Sequence, residues 1–338
     1  MNRRPNHSSH SGSLRTAGLR GGFTLIELMI VITIIVILAG LTIRVSMGMI
    51  NQGREAATKS TIQKINRLLD SRLQAFQRKY GGNDDTSLAR LKNTTEWSLA
   101  GNLKTSPNNL DLSNNQRVII TRKLLYMKWF PQVSGEVNLS LFPGISAART
   151  TNGGTAVDSN SEILYAMLLD SQGLGEATSG LIDFNTTEFA DTDLDGLPEF
   201  IDAWGEPIKF YRWPTRLFRP DDEGAGTPID PPSAKYASRL TVQGLRPSDL
   251  KRDPMDPLGQ CSNINNFETF FHQLNTFYAP LIISGGTDKN IGLLDPSDGF
   301  GRLGELSDPG TTDPATLALR GDALSDNISS LNIRAGGN

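Results

Sequence analysis

The most constraining feature of this sequence is an apolar run near its N-terminus, the 21 residues from Phe23 to Ile43, which contain a single charge, Glu27. As an α-helix that rises about 1.5 Å per residue, such a run can cross a hydrocarbon core of about 30 Å. An ionised side chain inside that core costs on the order of 3 kcal/mol and usually has a partner. The run therefore predicts a transmembrane helix in which Glu27 has a function of its own.

The start of the run resembles the processing motif of bacterial type IV prepilins and type II secretion pseudopilins. Its sequence is GFTLIE, from Gly22 to Glu27, and it leads directly into the apolar helix. The resemblance implies that a prepilin peptidase cleaves between Gly22 and Phe23 and that the new Phe23 amine is methylated. It also implies that Glu27 pairs with the Phe23 ammonium of a neighbouring subunit during filament assembly. Two such charges can neutralise each other where water is absent, whereas neither is tolerated there alone.

Two other interpretations of the run remain open. A secretory signal peptide has an apolar region of about 7–15 residues and an A-x-A-like cleavage site, whereas this run is longer and lacks that site. A plain signal anchor requires no glutamate. Residues 1–22 carry four arginines and no acidic residue, which is typical of a cytoplasmic leader. We therefore expect 1–22 to be removed and to contribute nothing to the fold.

A second pattern extends the helix beyond the apolar run. Apolar residues recur there at steps of three and four, which is typical of an amphipathic helix. No proline occurs between Phe23 and Tyr80, and the segment GGN at 81–83 provides a stop signal. The sequence thus predicts a transmembrane and stem helix over 23–80, about 87 Å long if it is regular. An extracytoplasmic head over 81–338 follows it.

The fold class expected for the chain is α+β, with a small antiparallel sheet and long loops in the head. Further helices are expected over 88–99, over 118–130, and from Ser159 or Ser161, where a serine can cap the first turn. The regions 83–180 and 212–279 look like additions to a compact pseudopilin head.

A turn signal precedes one predicted strand of the head. The segment DAWGEP, from Asp202 to Pro207, is followed by alternating apolar residues. It resembles the D-x-W-G-x-P turn-to-strand element of the major pseudopilins of type II secretion, which implies that the sheet of the head begins there. Gly205 and Pro207 suit a tight turn, and Trp204 can fill the space beneath it.

The acidic segment DTDLDGLPEFID has the spacing of a calcium-binding loop. Such a loop needs oxygen ligands at positions 1, 3, 5, 7, 9 and 12 and a glycine at position 6. An aspartate closes the loop where a glutamate is usual, and a proline stands at position 8. An acidic turn without an ion remains the alternative. The candidate ligands are Asp191, Asp193, Asp195, the carbonyl of Leu197, Glu199 and Asp202.

A second calcium candidate rests on resemblance alone. The segments PLIISGGTD at 280–288 and DNI at 326–328 resemble the last strands of the major pseudopilin head, where an S-x-G-x-D turn and a later D-(D/N)-I bracket a calcium-binding loop. The resemblance implies Ser284, Asp288 and Asp326 as ligands. Two short strands joined by a solvated acidic loop are the alternative. Calcium is the one cofactor that the sequence predicts.

Other chemistry finds little support. The chain has 36 acidic and 33 basic residues, and its acidic head argues against nucleic acid as a partner. The basic residues Arg122, Lys123 and Lys128 are typical of a solvated helix face. A catalytic site would depend on His272, which we interpret as a surface histidine. The single cysteine, Cys261, excludes an internal disulfide. No phosphate-binding loop is present, so we do not expect an enzyme.

Charge is distributed unevenly along the chain. The stem from Arg44 to Tyr80 carries eight basic residues against two acidic ones, whereas the head is acidic. Attraction between the stems and heads of packed subunits fits this distribution. A basic stem face exposed to solvent fits it as well.

The sequence therefore predicts a structural subunit of a type II secretion pseudopilus that polymerises through its N-terminal helix. A type IV pilus pilin serving adhesion, motility or DNA uptake is one alternative, and a membrane-tethered binding head that never polymerises is another. The expected partners are prepilin peptidase, other pilin or pseudopilin subunits and an inner-membrane assembly platform. The expected location is the bacterial inner membrane, with a single pass, a cytoplasmic N-terminus and a periplasmic head, and afterwards the filament.

Overall fold

The structure is a computed structural model, which describes residues 24–151, 159–171, 173–174, 184–215, 253–272, 279–296, 301–304 and 326–330, and only the backbone of 41–47. The chain divides into two compact units, Met1–Ile50 and Asn51–Asn338. Helix α1, Leu25–Tyr80, contributes residues to both units.

The remaining described elements belong to the second unit. They are the helices α2 (Asp85–Lys92), α3 (Thr95–Ala100), α4 (Asn114–Trp129), α5 (Pro143–Thr151), α6 (Asn160–Leu169) and α7 (Phe267–Phe270), and the strands β1 (Phe189–Ala190), β2 (Glu199–Phe200), β3 (Lys209–Tyr211), β4 (Leu281–Ser284) and β5 (Ile328–Ser329). Short 3-10 turns occur at Ser134–Glu136, Gly286–Asp288 and Gly301–Leu303. The helices and small antiparallel sheets confirm the predicted α+β class.

In the first unit, the described residues consist of Thr24 and the beginning of α1. Its large apolar side chains between Leu25 and Leu38 are between 45 % and 77 % exposed. They surround the helix rather than form one stripe, so no side of this segment is polar enough to face water alone. Within the described ranges, no helix combines the length and the apolar character that crossing a bilayer requires.

In the second unit, the stem part of α1 packs into the core of the head. The predicted stripe is confirmed, because Ile62, Ile65, Leu69 and Phe76 are at most 3 % exposed. The centroid of the Phe76 ring lies 5.5 Å from that of Tyr126 on α4, and the two rings meet edge to face. Apolar burial of this kind contributes about 1.5–3 kcal/mol for each large side chain, so this contact is a principal source of stability.

Basic residues of the stem also bind groups of the head in the same chain. The buried Arg72 donates through Nε and Nη2 to the carbonyl oxygen of Trp129, at 3.2 and 2.9 Å. Lys64 Nζ lies 2.7 Å from a carboxylate oxygen of Glu188, and Lys79 donates to a head carbonyl. Part of the positive charge of the stem is therefore neutralised within the molecule.

The helices of the head begin at capping residues. Ser113 and Gln116 form a reciprocal capping box at the start of α4, and Ser159 and Glu162 form one at the start of α6. Such boxes satisfy backbone N–H groups that have no partner inside the helix. The single helix expected over 88–99 is wrong: Thr94 separates α2 from α3, because its side chain accepts a bond from Trp97 N at 3.3 Å and starts a new helix.

The sheet of the second unit is antiparallel, with the strand order β3-β4-β5. The register places Lys209 opposite Ile283 and Ile283 opposite Ser329. All four residues of the central strand β4 are buried. A separate ribbon forms from β1 and β2, which pair antiparallel with Phe189 opposite Phe200. The small antiparallel sheet was predicted, and the ribbon was not.

Two side chains that were expected at the surface are buried instead. Lys123 is 0 % exposed and His272 is 1 % exposed. Lys123 Nζ forms an ion pair with Asp253 and lies 2.7 Å from His272 Nε2. Burial lowers the pKa of Lys123, although the Asp253 carboxylate opposes that shift. The Lys123 charge is tolerated in this core because the Asp253 carboxylate pairs with it. This partner comes from a segment that is distant in sequence.

The first residue of α6 provides a test of how this helix is held against the sheet. The buried Asn160 donates through Nδ2 to the carbonyl oxygens of Gln132 and Phe210, both at 2.9 Å, and its Oδ1 accepts from Phe210 N at 2.6 Å. We expect Asn160→Ala to reduce the free energy of unfolding by about 3 kcal/mol, because it leaves three buried polar groups without partners. Urea unfolding of the full chain measures this loss.

Asn114→Ala is the matched control for this variant. Asn114 is likewise the first residue of a helix, directly after a capping serine, Ser113, but its side chain is exposed. Its replacement should change stability by no more than about 0.5 kcal/mol. Equal losses in the two variants would contradict the role assigned to Asn160.

Candidate functional site

The N-terminal candidate site is described from Thr24 onwards, so Gly22 and Phe23 lie outside the described residues. Thr24 precedes the first helical residue of α1, and Glu27 lies in the first turn. The Glu27 atom Oε2 accepts bonds from Thr24 N and Thr24 Oγ1, both at 2.8 Å. In return, Glu27 N donates to Thr24 Oγ1 at 3.3 Å. This reciprocal arrangement is a capping box.

The capping box gives Glu27 a role that the sequence analysis missed. The T-x-x-E spacing of Thr24 and Glu27 is itself the signal for such a cap. None of the three bonds uses the second carboxylate oxygen, Oε1. The cap therefore fixes the orientation of the carboxylate while it leaves one oxygen for another interaction.

The acidic loop connects the two strands of the β1–β2 ribbon. Asp191 closes the loop, because Oδ1 accepts from Asp195 N at 3.1 Å and Oδ2 accepts from Gly196 N at 3.0 Å. Gly196 has a φ of +95°, a conformation that favours glycine. Leu197 N donates to Asp195 Oδ1 at 2.8 Å. The loop is thus a tight turn in which the aspartates at positions 1 and 5, Asp191 and Asp195, orient backbone N–H groups.

Three carboxylates converge at this loop, and one of them comes from another element. Glu162, Asp193 and Asp195 each offer an oxygen atom, and these oxygens lie within 4.8 Å of one another. This is the one such group of acidic, histidine or cysteine side chains in the part of the chain that the structure describes. Glu162 lies in the first turn of α6. The sequence analysis did not identify Glu162 as a ligand, since nothing local shows that α6 reaches the loop.

A fourth acid, Glu199, lies at the base of the loop. It is 2 % exposed, and its Oε1 accepts bonds from the backbone and side chain of Thr192. Its other oxygen, Oε2, is buried and has no hydrogen-bond partner among the described residues. Burial raises the pKa of Glu199, and the nearby charges of Asp193 and Asp191 raise it further.

Glu162 shows the same electrostatic effect. Burial is the main cause that raises its pKa to about 7, and the charges of Asp195 and Asp193 add to the shift. The bonds from Ser159 oppose it, because they favour the charged carboxylate. The loop therefore brings together carboxylates that repel one another at neutral pH.

The last acid of the predicted calcium loop, Asp202, does not belong to the group of three. Its Oδ1 accepts from Trp204 N at 2.8 Å and Glu206 N at 3.0 Å, and its Oδ2 accepts from Ser284 Oγ at 2.6 Å. Gly205, with a φ of +85°, completes the turn. Asp202 thus ties the DAWGEP turn to the central strand of the sheet.

At the second predicted calcium site, several polar groups bond within the chain, but Asp326 Oδ1 is buried and has no hydrogen-bond partner among the described residues. Ser284 Oγ accepts from Gly286 N at 3.1 Å besides donating to Asp202. Asp326 Oδ2 accepts from Asp288 N at 3.1 Å and from Thr287. The structure therefore brings Asp288 and Asp326 together across the turn, but it forms no group of three carboxylates there among the described residues. A metal ion at this turn stays a prediction.

Comparison with known proteins identifies the N-terminal segment. Residues 19–43 match the model of the family described as the prokaryotic N-terminal methylation motif. This motif is the hallmark of the type IV prepilin and pseudopilin family, so the prepilin resemblance of the GFTLIE segment is confirmed. Neither a curated protein nor a solved structure matches the chain.

The motif has general consequences for this chain. It implies processing by a prepilin peptidase and assembly with other pilin subunits, and it indicates an N-terminus that is anchored in a membrane. Proteins of this class are in general structural rather than enzymatic.

The contacts of Asp202 generate a prediction about stability. Asp202→Ala removes acceptors for two backbone N–H groups and for the Ser284 hydroxyl, so we expect it to reduce the free energy of unfolding by about 3 kcal/mol. Asp202→Asn keeps Oδ1 as an acceptor and should cost only about 1 kcal/mol. Urea unfolding of both variants checks this order; equal losses would mean that the turn does not depend on Oδ1.

Proposed function

We propose that this protein is a structural subunit of a type II secretion pseudopilus. A prepilin peptidase cleaves the chain between Gly22 and Phe23, and the new amine is methylated. The mature subunit is held in the inner membrane by the apolar start of α1, with its head in the periplasm. An inner-membrane assembly platform then transfers it into the filament. The match of residues 19–43 to the methylation motif is the observation that carries this proposal.

The exposure of the apolar side chains supports assembly through α1. Between Leu25 and Leu38 they are 45–77 % exposed on all sides of the helix. A helix that is apolar all round needs lipid or other helices as its surroundings. The same side chains can contact lipid before assembly and neighbouring helices afterwards, so one segment serves both as anchor and as packing surface.

Glu27 sets the axial position of the subunit in this proposal. Its carboxylate is oriented by Thr24, and Oε1 is not used in the cap. A neighbouring Phe23 ammonium can bind that oxygen without breaking the helix start. Because an unpaired charge is costly among apolar helices, only the register that pairs the two groups is stable.

The assignment to a secretion filament rather than a pilus rests on the head. The DAWGEP turn leads into β3, an edge strand of the three-stranded sheet. This turn-to-strand element resembles that of the major pseudopilins, and it favours the secretion filament over the type IV pilin.

Substitutions at Thr24 and Glu27 separate the role of charge from that of the cap. Glu27→Gln retains an amide oxygen that can accept the Thr24 bonds, as Gln116 does in the capping box of α4, but it removes the charge. We expect it to reduce subunit–subunit cross-linking in membranes by about tenfold, roughly 1.4 kcal/mol in the assembly equilibrium. Thr24→Ala keeps the charge and should assemble nearly as well as the wild-type chain.

Processing serves as the internal control for these variants. The mass of the chain reports whether cleavage and methylation at Phe23 have occurred. Gly22→Leu should block cleavage, whereas the variants at Thr24 and Glu27 should still be cleaved. Normal cross-linking of a cleaved Glu27→Gln chain, together with failure of Thr24→Ala, would show that the cap and not the charge matters.

Removal of the gene tests the secretion role separately. Its loss in the native host is expected to leave exported proteins in the periplasm, and expression of the wild-type chain should restore their release. Unimpaired secretion with loss of adhesion, motility or DNA uptake would instead identify a type IV pilin. Retention of all these activities would contradict both filament functions.

A further inference from the structure

The carboxylates at the ribbon loop have the spacing of ligands around one cation. Calcium binds carboxylate oxygens at about 2.3–2.6 Å, so two ligands of one ion are at most about 5 Å apart. The oxygens of Glu162, Asp193 and Asp195 lie within 4.8 Å of one another. Two separate elements position these residues, because Glu162 belongs to a helical turn and the two aspartates belong to one loop closed by Asp191.

A second, independent observation points to a missing ligand. Glu199 is 2 % exposed, and within the part of the chain that the structure describes its Oε2 has no hydrogen-bond partner. Its Oε1 is held beneath the loop by Thr192, and the charges of Asp191 and Asp193 are near enough to act on the carboxylate. A buried carboxylate oxygen without a donor is costly. A cation in the loop would supply the positive charge that this oxygen lacks.

We propose that the β1–β2 loop and the first turn of α6 bind one calcium ion, with Glu162, Asp193 and Asp195 as carboxylate ligands and Glu199 as the buried acid beneath it. Calcium fits better than other divalent ions because every donor is an oxygen and the four residues come from a helix, a loop and a strand. Zinc prefers nitrogen and sulfur ligands, and magnesium demands a strict octahedron at about 2.1 Å. The proposal does not depend on filament assembly.

The ion would have a structural effect at this position. The helix α6 already binds the ribbon through Ser161 Oγ, which donates to Phe200 O at 3.2 Å, and it binds β3 through Asn160. A cation shared by α6 and the loop would fasten the outer end of the ribbon to the same helix. It would also remove the repulsion between the acids, so the head would be more stable with the ion than without it.

Glu162→Gln tests the ligand that sequence spacing did not indicate. The amide can keep the capping box with Ser159, since Gln116 makes the same box with Ser113 at α4, so the helix start is preserved while the charge is lost. Calcium titration of the full-length chain in detergent, by calorimetry and thermal unfolding, should show one ion per chain. We expect Glu162→Gln and Asp193→Asn each to weaken its binding by about tenfold or more.

Asp202→Asn is the matched control, because it is the same change at the acid that closes the loop in the sequence pattern but bonds to the DAWGEP turn in the structure. It should keep calcium binding within about threefold of the wild-type chain. In the presence of a chelator, Glu162→Gln should unfold at a temperature no lower than the wild-type chain, because one of the repelling charges is gone. The order of stability then reverses when calcium is added.

Several results would overturn the proposal. One is a wild-type chain whose unfolding temperature and heat of titration do not respond to calcium up to about 5 mM. Another is unchanged calcium binding in both Glu162→Gln and Asp193→Asn. A third is loss of calcium binding in Asp202→Asn while Glu162→Gln binds normally. That result would assign the ion to the loop predicted from sequence spacing, with Asp202 as its last ligand.

Discussion

The head depends on the burial of the stem part of α1 against α4. The stripe that includes Ile62, Leu69 and Phe76 is almost fully enclosed, and Phe76 meets the aromatic rings of Tyr126 and Phe130 at 5.5 and 5.8 Å. The stem is therefore part of the hydrophobic core rather than a support beneath it. A consequence for assembly is that the buried face of the stem cannot contact another subunit. In the proposed filament, the exposed apolar side chains before it would supply such contacts.

Intramolecular ion pairs modify the simple picture of a basic stem and an acidic head. Lys64 binds Glu188, and Arg72 binds a carbonyl oxygen of α4 from inside the core. Neither attraction between subunits nor a solvated basic face describes these residues, because their partners lie in the same chain. Burial of Glu188 raises its pKa, but the bonds from Lys64, Asn185 and Thr61 outweigh this and lower the pKa overall. This contribution to stability is therefore present above the ordinary pKa of a glutamate and is lost as the pH falls through the lowered pKa.

Much of the fold could be predicted because its signals are local. The serine cap of α6 and the DAWGEP turn each lie within a few residues, and the stripe of α1 follows the short period of a single helix. The errors arise where residues distant in sequence determine whether a side chain is buried. Lys123 can be buried because its charge partner, Asp253, lies 130 positions away in the sequence. The same limit applies to the acidic loop. Spacing along the chain indicates Asp202 as the closing ligand, whereas folding brings Glu162 to the loop and turns Asp202 toward Ser284.

The two glutamates at the candidate sites share one physical device. Glu27 and Glu162 each lie in the first turn of a helix. The Oε2 atom of each accepts a bond from the backbone N of the residue that caps the helix, Thr24 at 2.8 Å and Ser159 at 2.9 Å. A capping bond of this kind removes side-chain freedom that a cation would otherwise have to restrict on binding. At Glu162, burial raises the pKa, whereas the capping bonds favour the charged form of the carboxylate. In the functions proposed above, a capped glutamate is thus prepared for a positive partner before that partner arrives. The surroundings distinguish the two proposed partners: an ammonium would bind Glu27 among apolar helix surface, and a metal ion would bind Glu162 among further acids.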